Sequence, residues 1–407
     1  MMRISTSTMF ETGTNQLGTL QTQLSRTQQQ LATNRRMLTP ADDPIASARA
    51  LEVSQAQSIN TQFATNRQNA RSTLSLEDAA LAGVTTLLQD AQALTITGGN
   101  GAYSASDRAT IANELSGRLE DLMGLANSTD GTGGYLFGGF RSASPPFIRD
   151  ASGTSYVGDQ GQRQVQVGSA RQIAMSDAGS AVFESNLTGN GTFVTAAALT
   201  NTGSAVVSPG AVTDATQLTR ENYTLTFAVA LGVTTFTITD SQNVTVPPPP
   251  ALAARPYVSG EAIAFSGMTF DIAGAPADGD IVTVGPSTKQ SVFETIDKLI
   301  ATLRAPALDL PGKAKLRAGL AEANNNLKSA LDSVLTAHAS VGTRMKELDY
   351  LDSTGEDLNI QYAATLSNLQ DLDMVKAISL FTQQQFSLEA AQKSFKSLTG
   401  LSLFNYL

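Results

Sequence analysis

The sequence predicts an α+β fold: an elongated molecule in which long helices from the two ends of the chain pair into coiled-coil and helical-bundle layers, with a mainly antiparallel β domain inserted between them. Three observations predict it. Apolar residues recur at seven-residue intervals near both ends. Helical periodicity is lost between about residues 142 and 286, where short runs of Val, Thr, Phe and Ile alternate with turn residues. The 407 residues are 41% hydrophobic but only 6% aromatic, with no Trp, a composition suited to long helices packed through small side chains.

At the N-terminal end, Phe10, Leu17, Leu24, Leu31 and Leu38 lie one heptad apart and Leu20 adds a second-position contact. The other second positions are Thr27 and Asn34, so the seam is thin and needs a partner. "LTPADDPIASARAL" interrupts it, because Pro40 and Pro44 disfavour helix in the residues before them. The reading is a hinge built by Pro40, Asp42, Asp43 and Pro44, with Asp42 or Asp43 capping the next helix and Pro44 in its first turn. That helix carries Ile59, Phe63, Ala70, Leu74, Leu81, Val84, Leu88 and Ala91 and stops at Gly98. "SASD" is a capping box for a further helix with Ile111, Leu115, Leu119 and Leu122 on one face. "STDGTGGYLFGGFR" then reads as a small hairpin around a short aromatic strand.

In the middle segment "YTLTFAVAL" alternates, placing Leu225, Phe227, Val229 and Leu231 on one face, and "TFTITD" does the same with Phe236 and Ile238. "VQV", "IAFSGMTFDI" and "DIVTV" add strands, and "PPPP" is an exposed extended link.

Helix returns with Phe293, Ile296, Ile300 and Leu303, is interrupted at Pro306 and "LPGK", and resumes with Leu316, Leu320, Leu327, Leu331, Val334, Val341, Met345 and Leu348 on one stripe. "STGED" reads as a second break. The last helix carries Leu358, Tyr362, Leu366, Leu369, Leu372, Ile378, Phe381, Leu388 and Phe395, and Leu398, Leu401, Leu403 and Phe404 extend its apolar character. These last residues, from Ile378 on, and the Phe10 to Leu38 series form the candidate assembly seam. The layout assigns 1–43 and 353–407 to an inner terminal-helix domain, 44–141 and 287–352 to a helical bundle, and 142–286 to an outer β domain. The inner domain is expected to be disordered in the isolated chain and to fold as it assembles.

The charge balance is -9, and no basic cluster exceeds Arg35-Arg36. This argues against nucleic acid and anionic membrane as partners, since phosphate neutralisation has no source. With no Cys, disulfides, thiolate chemistry and Cys-ligated metals are excluded. The single histidine, His338, falls on the apolar stripe and reads as a neutral imidazole in a helix core, without the further ligands a metal requires. Gly131 to Gly139 and Gly189 to Gly191 lack the lysine and hydroxyl of a phosphate loop. The paired acids Asp42-Asp43 adjoin a helix start, where caps are ordinary. No catalytic, cofactor or metal site is therefore expected. "MMRISTSTMF" has no apolar signal-peptide core, and no run reaches the roughly 18 apolar residues of a membrane span.

"MRISTSTMF", "LATNRRMLTPADDPIASARAL", "LANSTDGTGGYLFGGFR", "GDIVTVGPSTKQSVFETIDKLIATL" and "LEAAQKSFKSLTGLSLFNYL" resemble the hook-associated junction proteins of the flagellin-like family. The match spans roughly residues 2 to 145 and 275 to 407. The resemblance implies an extracellular structural protein of the bacterial flagellum, placed at the hook-filament junction and exported by the type III route without a cleaved signal peptide. It implies as partners neighbouring copies of itself, the other hook-associated junction protein on the hook side, flagellin on the filament side, and an export chaperone on the C-terminal region. Flagellin itself is the alternative within the same architecture. A glycan-binding or enzymatic outer domain on a flagellar scaffold is the alternative of a different class.

Overall fold

The computed structural model describes residues 6–151, 153–246 and 254–404, with side chains between 8 and 397. The helices are α1 (Thr6–Thr33), α2 (Pro44–Gly98), α3 (Ala105–Ala126), α4 (Val292–Arg304), α5 (Leu310–Gln370) and α6 (Met374–Phe404). Contacts divide the chain into two compact units, residues 1–65 with 350–407 and residues 66–349.

In the first unit α1 runs antiparallel to α6. The helix α1 ends at Thr33 because Asn34 adopts φ 53, the left-handed conformation that stops helices. Leu38 therefore lies beyond the helix, half-buried in the link, and does not extend the seam as its heptad spacing predicts. The expected second break at "STGED" is also absent, since α5 continues through it to Gln370. Ser353 and Thr354 face solvent, and the Thr354 hydroxyl donates to the Tyr350 carbonyl (3.0 Å), so neither residue opposes the helix. Gly355 is buried, and Asn60 Nδ2 of α2 donates to its carbonyl (2.7 Å) and to Asn359 Oδ1 (3.0 Å). The break falls at residues 371–373 instead, where Asp373 Oδ1 accepts the Lys376 N–H (3.1 Å) at the start of α6.

In the second unit the heptads of α2 and α5 are filled. Ala70, Leu74, Glu77, Leu81, Val84, Leu88, Ala91 and Thr95 are all buried along α2, as are Leu320, Leu327, Val334, Val341 and Leu348 along α5. The alternating steps of three and four residues keep one stripe facing inward over many turns. The α3 capping box forms as its sequence predicts, with Ser104 Oγ accepting the Asp107 N–H and Asp107 Oδ2 accepting the Ser104 N–H (2.9 Å). At the end of α2 a Cβ on Gly98 would lie 2.6 Å from Leu303 Cδ2, so glycine there admits α4.

Two expectations in this unit are corrected. His338 is not a core residue: a third of its side chain is exposed, and Nε2 lies 2.8 Å from Asp78 Oδ1. It sits beside the inward heptad positions Val334 and Val341, one step round to the rim of the stripe. The segment 128–141 forms only a single bridge, Thr129 with Tyr135, and no aromatic strand. The Asp130 carboxylate satisfies this turn, accepting from Thr132 N (2.9 Å), Thr132 Oγ1 (2.7 Å) and Gly134 N (3.0 Å).

The described strands are β1 (Phe147–Asp150), β2 (Gly153–Tyr156), β3 (Gln164–Gly168), β4 (Arg171–Ala174), β5 (Asn186–Leu187), β6 (Phe193–Ala197), β7 (Val206–Val207), β8 (Ala211–Val212), β9 (Tyr223–Ala230), β10 (Val233–Thr239), β11 (Arg255–Pro256), β12 (Ala262–Phe265), β13 (Met268–Ala273), β14 (Ile281–Pro286) and β15 (Lys289–Gln290). A five-stranded antiparallel sheet has the order β11-β10-β9-β14-β6, and a smaller one runs β12-β13-β7 with β8 also on β13. Leu225, Phe227, Phe236 and Ile238 share one core with Phe193, Ile263, Phe270, Ile272, Val282 and Val284. The predicted face is thus correct as far as Phe227, whereas Val229 and Leu231 run past the end of the core and are exposed. "PPPP" lies outside the described residues.

A second core joins the β hairpins to the helices. Phe147 packs its ring against Phe183 (5.4 Å between centroids), Phe293 of α4 (5.0 Å) and Tyr156 (5.1 Å), and Phe183 meets Phe137 edge-on at 5.2 Å. Tilted and edge-to-face pairs of this kind add to the stabilisation from burial alone.

Candidate assembly surface

The seam between α1 and α6 is built from two interlocking rows. On α1 the inward positions are Gly13, Leu17, Leu20, Leu24, Thr27 and Leu31; on α6 they are Ala377, Phe381, Gln384, Leu388, Ala391 and Phe395, in each case buried or half-buried. Steps of three and four residues keep each row on one face. The Phe10 and Phe395 rings meet at 5.2 Å, tilted by 45°. A Cβ on Gly13 would stand 2.7 Å from the Phe395 ring, so glycine makes room for it. Between these apolar layers the Thr27 hydroxyl donates to Gln384 Oε1 (2.8 Å), a polar pair of the kind that fixes register.

Of the seam residues the sequence proposes, Leu17, Leu20, Leu24, Leu31, Phe381, Leu388 and Phe395 take inward positions. Phe10 is 52% exposed despite its ring contact. Ile378 is corrected: it is 53% exposed, because the inward position belongs to its neighbour Ala377 and Ile378 is turned one helical step away. The side chains of Leu398, Leu401, Leu403 and Phe404 lie outside the described residues. Sequence reasoning missed Gly13, Ala377, Gln384 and Ala391 as seam positions, and read Thr27 as a weak second position rather than a bonded one. The signal was their 3–4 spacing, which a search for large apolar residues passes over.

The corner residues do what their chemistry predicts. Asp43 Oδ1 accepts the Ala46 N–H (3.0 Å) and caps α2, whose first residue is Pro44. Asp42 Oδ2 accepts the N–H groups of Leu38 (2.9 Å) and Thr39 (3.0 Å). These bonds, with Arg26 at 2.7 Å, hold its carboxyl below the usual range. Pro40 lies in the link between α1 and α2. The corner is tied to the break between α5 and α6 by backbone bonds, from Arg36 N–H to the Gln370 carbonyl (2.8 Å) and from Leu372 N–H to the Asn34 carbonyl (3.3 Å).

Outside the seam, α6 carries a further set of large apolar side chains. Val375 is 80% exposed, Phe386 74%, and Met374, Ile378 and Leu380 are exposed as well. On α2 and α5 of the same unit, Ile45, Leu51, Ile59 and Ile360 are also exposed. Among the described residues, no group of three or more His, Cys, Asp or Glu could hold a metal ion, and no helix is long and apolar enough to cross a membrane. The exposed large apolar residues of this unit lie on its helices.

Residues 4–142 match the bacterial flagellin N-terminal helical region. Over 404 residues, 99% of both chains, the sequence is 30% identical to flagellar hook-associated protein 3 of Salmonella typhimurium. The chain belongs to the flagellar hook-associated protein 3 family. Its Escherichia coli relative of the same name is 28% identical over the same length. Among solved structures, hook-associated protein 3 from Legionella pneumophila superposes with a TM-score of 0.75 at 33% identity, covering 78% of this chain and 98% of that one. The FlgL of Xanthomonas campestris superposes at 0.71 and 31% identity, covering 77% and 99%. As a family member, this hook-associated protein is a structural component of the bacterial flagellum with a flagellin-like fold. The similarity runs through the middle of the chain as well as the two ends that carry the resemblance in its motifs.

Proposed function

We propose that this hook-associated protein forms the junction between the flagellar hook and filament, assembling through its terminal helices with neighbouring copies, with the other hook-associated junction protein on the hook side and with flagellin on the filament side. The observation that carries this reading is the apolar surface of α6 outside its seam, in particular Val375, Ile378 and Phe386. Large apolar side chains left exposed on a helix of this kind are suited to a contact with another protein. A relative from Legionella pneumophila, 32% identical, is described as a flagellar junction protein, and that supports the finer assignment.

The same reading takes residues 1–43 and 353–407 as the inner layer, which gains its order on assembly. The protein reaches the cell exterior through the type III channel without a cleaved signal, and an export chaperone holds its C-terminal region beforehand. The experiment is deletion of the gene with complementation. Cells without the protein should make hooks and release flagellin into the medium, and a chain lacking residues 398–407 should fail to restore filaments. Filaments that persist in the deletion strain, or purified protein that grows long filaments unaided, would rule out the junction role; the second result would favour a filament subunit.

A further inference from the structure

A polar cavity of about 610 Å³ opens in the second unit beside β3, lined among others by Gln160, Gln162, Gln164, Glu184, Ser185 and Lys289. We propose that it is a binding site for a neutral oligosaccharide of two or three rings. Nothing in the assembly role calls for such a site.

Three features carry the proposal. Gln160, Gln162 and Gln164 are alternate residues of the segment that runs through a bend into β3, exposed where Gly161 and Arg163 between them are half-buried, and all three line the cavity. A carboxamide both donates and accepts hydrogen bonds, so a row of them matches the paired donors and acceptors of adjacent sugar hydroxyls. The charged members of the lining are one carboxylate and one ammonium, Glu184 and Lys289. That balance provides no excess charge for a phosphate or a metal ion, while both groups hydrogen-bond to hydroxyls. Ala178 and Ala181 give the cavity an apolar patch for the C–H face of a ring.

The wall carrying Glu184 is a π-helical turn, Ser180–Glu184. Such turns are rare and recur at functional sites, since the wider turn re-aims side chains. Val182 and Phe183 anchor it in the interior, with Phe183 held against Phe137 and Phe147. The opposite wall is also fixed, because Gln162 Nε2 donates to Asp177 Oδ1 (2.8 Å), which Arg344 Nη2 holds at 2.7 Å. Burial raises the Glu184 carboxyl above its ordinary value, opposed by the Tyr156 backbone N–H. The walls are in place before any ligand arrives, as specific recognition of a weakly binding sugar requires.

The test is saturation-transfer NMR on the full-length protein with maltotriose and N,N′-diacetylchitobiose as probes. A backbone and side-chain amide map of the unsubstituted protein, with and without each sugar, accompanies it. The expected result is transfer to at least one sugar, with shifts concentrated at the Gln160 to Gln164 and Ser180 to Ser185 segments. The double variant Gln160→Ala and Gln164→Ala, both exposed positions, should reduce the transfer at least fivefold, with inorganic phosphate unable to compete. Absence of transfer to both sugars, shifts located elsewhere, undiminished transfer in the double variant, or displacement by phosphate would each overturn the proposal. The amide map decides the matter on the unsubstituted protein even if the double variant loses its fold.

Discussion

Replacing Glu77 with Gln should flatten the alkaline side of the protein's stability profile. Glu77 occupies an inward heptad position of α2 between Leu74 and Leu81 and is 0% exposed. Its Oε1 accepts the Asp177 N–H at 3.0 Å, and its Oε2 has no hydrogen-bond partner. Burial, then the Asp177 carboxylate beside it, push its carboxyl from 4.5 up to about 8; the Asp177 N–H bond and Arg344 oppose the rise. In the unfolded chain the group ionises near its ordinary value, whereas in the folded chain it holds its proton to about pH 8. Its contribution is therefore greatest below about pH 4.5 and falls by roughly 1.4 kcal/mol per pH unit as pH rises, levelling off above pH 8. Across that window, about 3.5 pH units, the loss is on the order of 5 kcal/mol. Gln keeps an acceptor for the Asp177 N–H and cannot ionise, so the variant should match the parent near pH 5 and exceed it at pH 9. Amide exchange of β3, β4 and the Asp177 N–H, corrected for intrinsic rates, reads this locally, and thermal unfolding reads it globally. Parallel loss of stability in parent and variant between pH 5 and 9 would refute the assignment of a neutral buried acid.

Three further outcomes follow from the geometry. Asp43→Ala removes the cap of α2 and should cost about 1 kcal/mol, read as faster amide exchange at residues 44–47. Phe183→Ala empties the centre of the aromatic cluster and should cost about 3–5 kcal/mol in urea unfolding; a loss below 1 kcal/mol would show that the hairpins do not depend on it. Leu231→Asn should stabilise the β9–β10 hairpin by about 1 kcal/mol. Leu231 takes φ 51 before Gly232 at φ 80 and is fully exposed, so Asn relieves strain without removing a contact.

The helices were legible because heptad spacing is a local signal: the eight inward positions of α2 from Ala70 to Thr95 include all six residues that sequence reasoning picked out in that stretch, although Ile59, placed on the same stripe, is 47% exposed. The same signal failed where size and position part company. Ile378 is large and faces outward, while Ala377 beside it is small and faces in. Breaks were harder. "STGED" has helix-breaking composition, yet Gly355 is where the Asn60 side chain meets α5, a packing demand from a residue almost three hundred positions away. The aromatic cluster was illegible for the same reason, since Phe137, Phe147, Phe183 and Phe293 come from four separate segments whose convergence no local pattern records. Of the seam, the leucine positions were readable, and the Thr27–Gln384 pair was not, because neither residue announces a partner by itself.

The backbone bonds between the α1–α2 corner and the α5–α6 break carry a mechanical consequence. They clamp the pair of terminal helices at one end, while Phe395 seated over Gly13 and the Thr27–Gln384 bond mark fixed points along its length. Sliding α6 along α1 by one heptad, about 10 Å of helix, would break those backbone bonds and drive a ring into a side chain that has no space for it. Shear along the pair is thereby blocked, and a twist applied to one helix passes to the other.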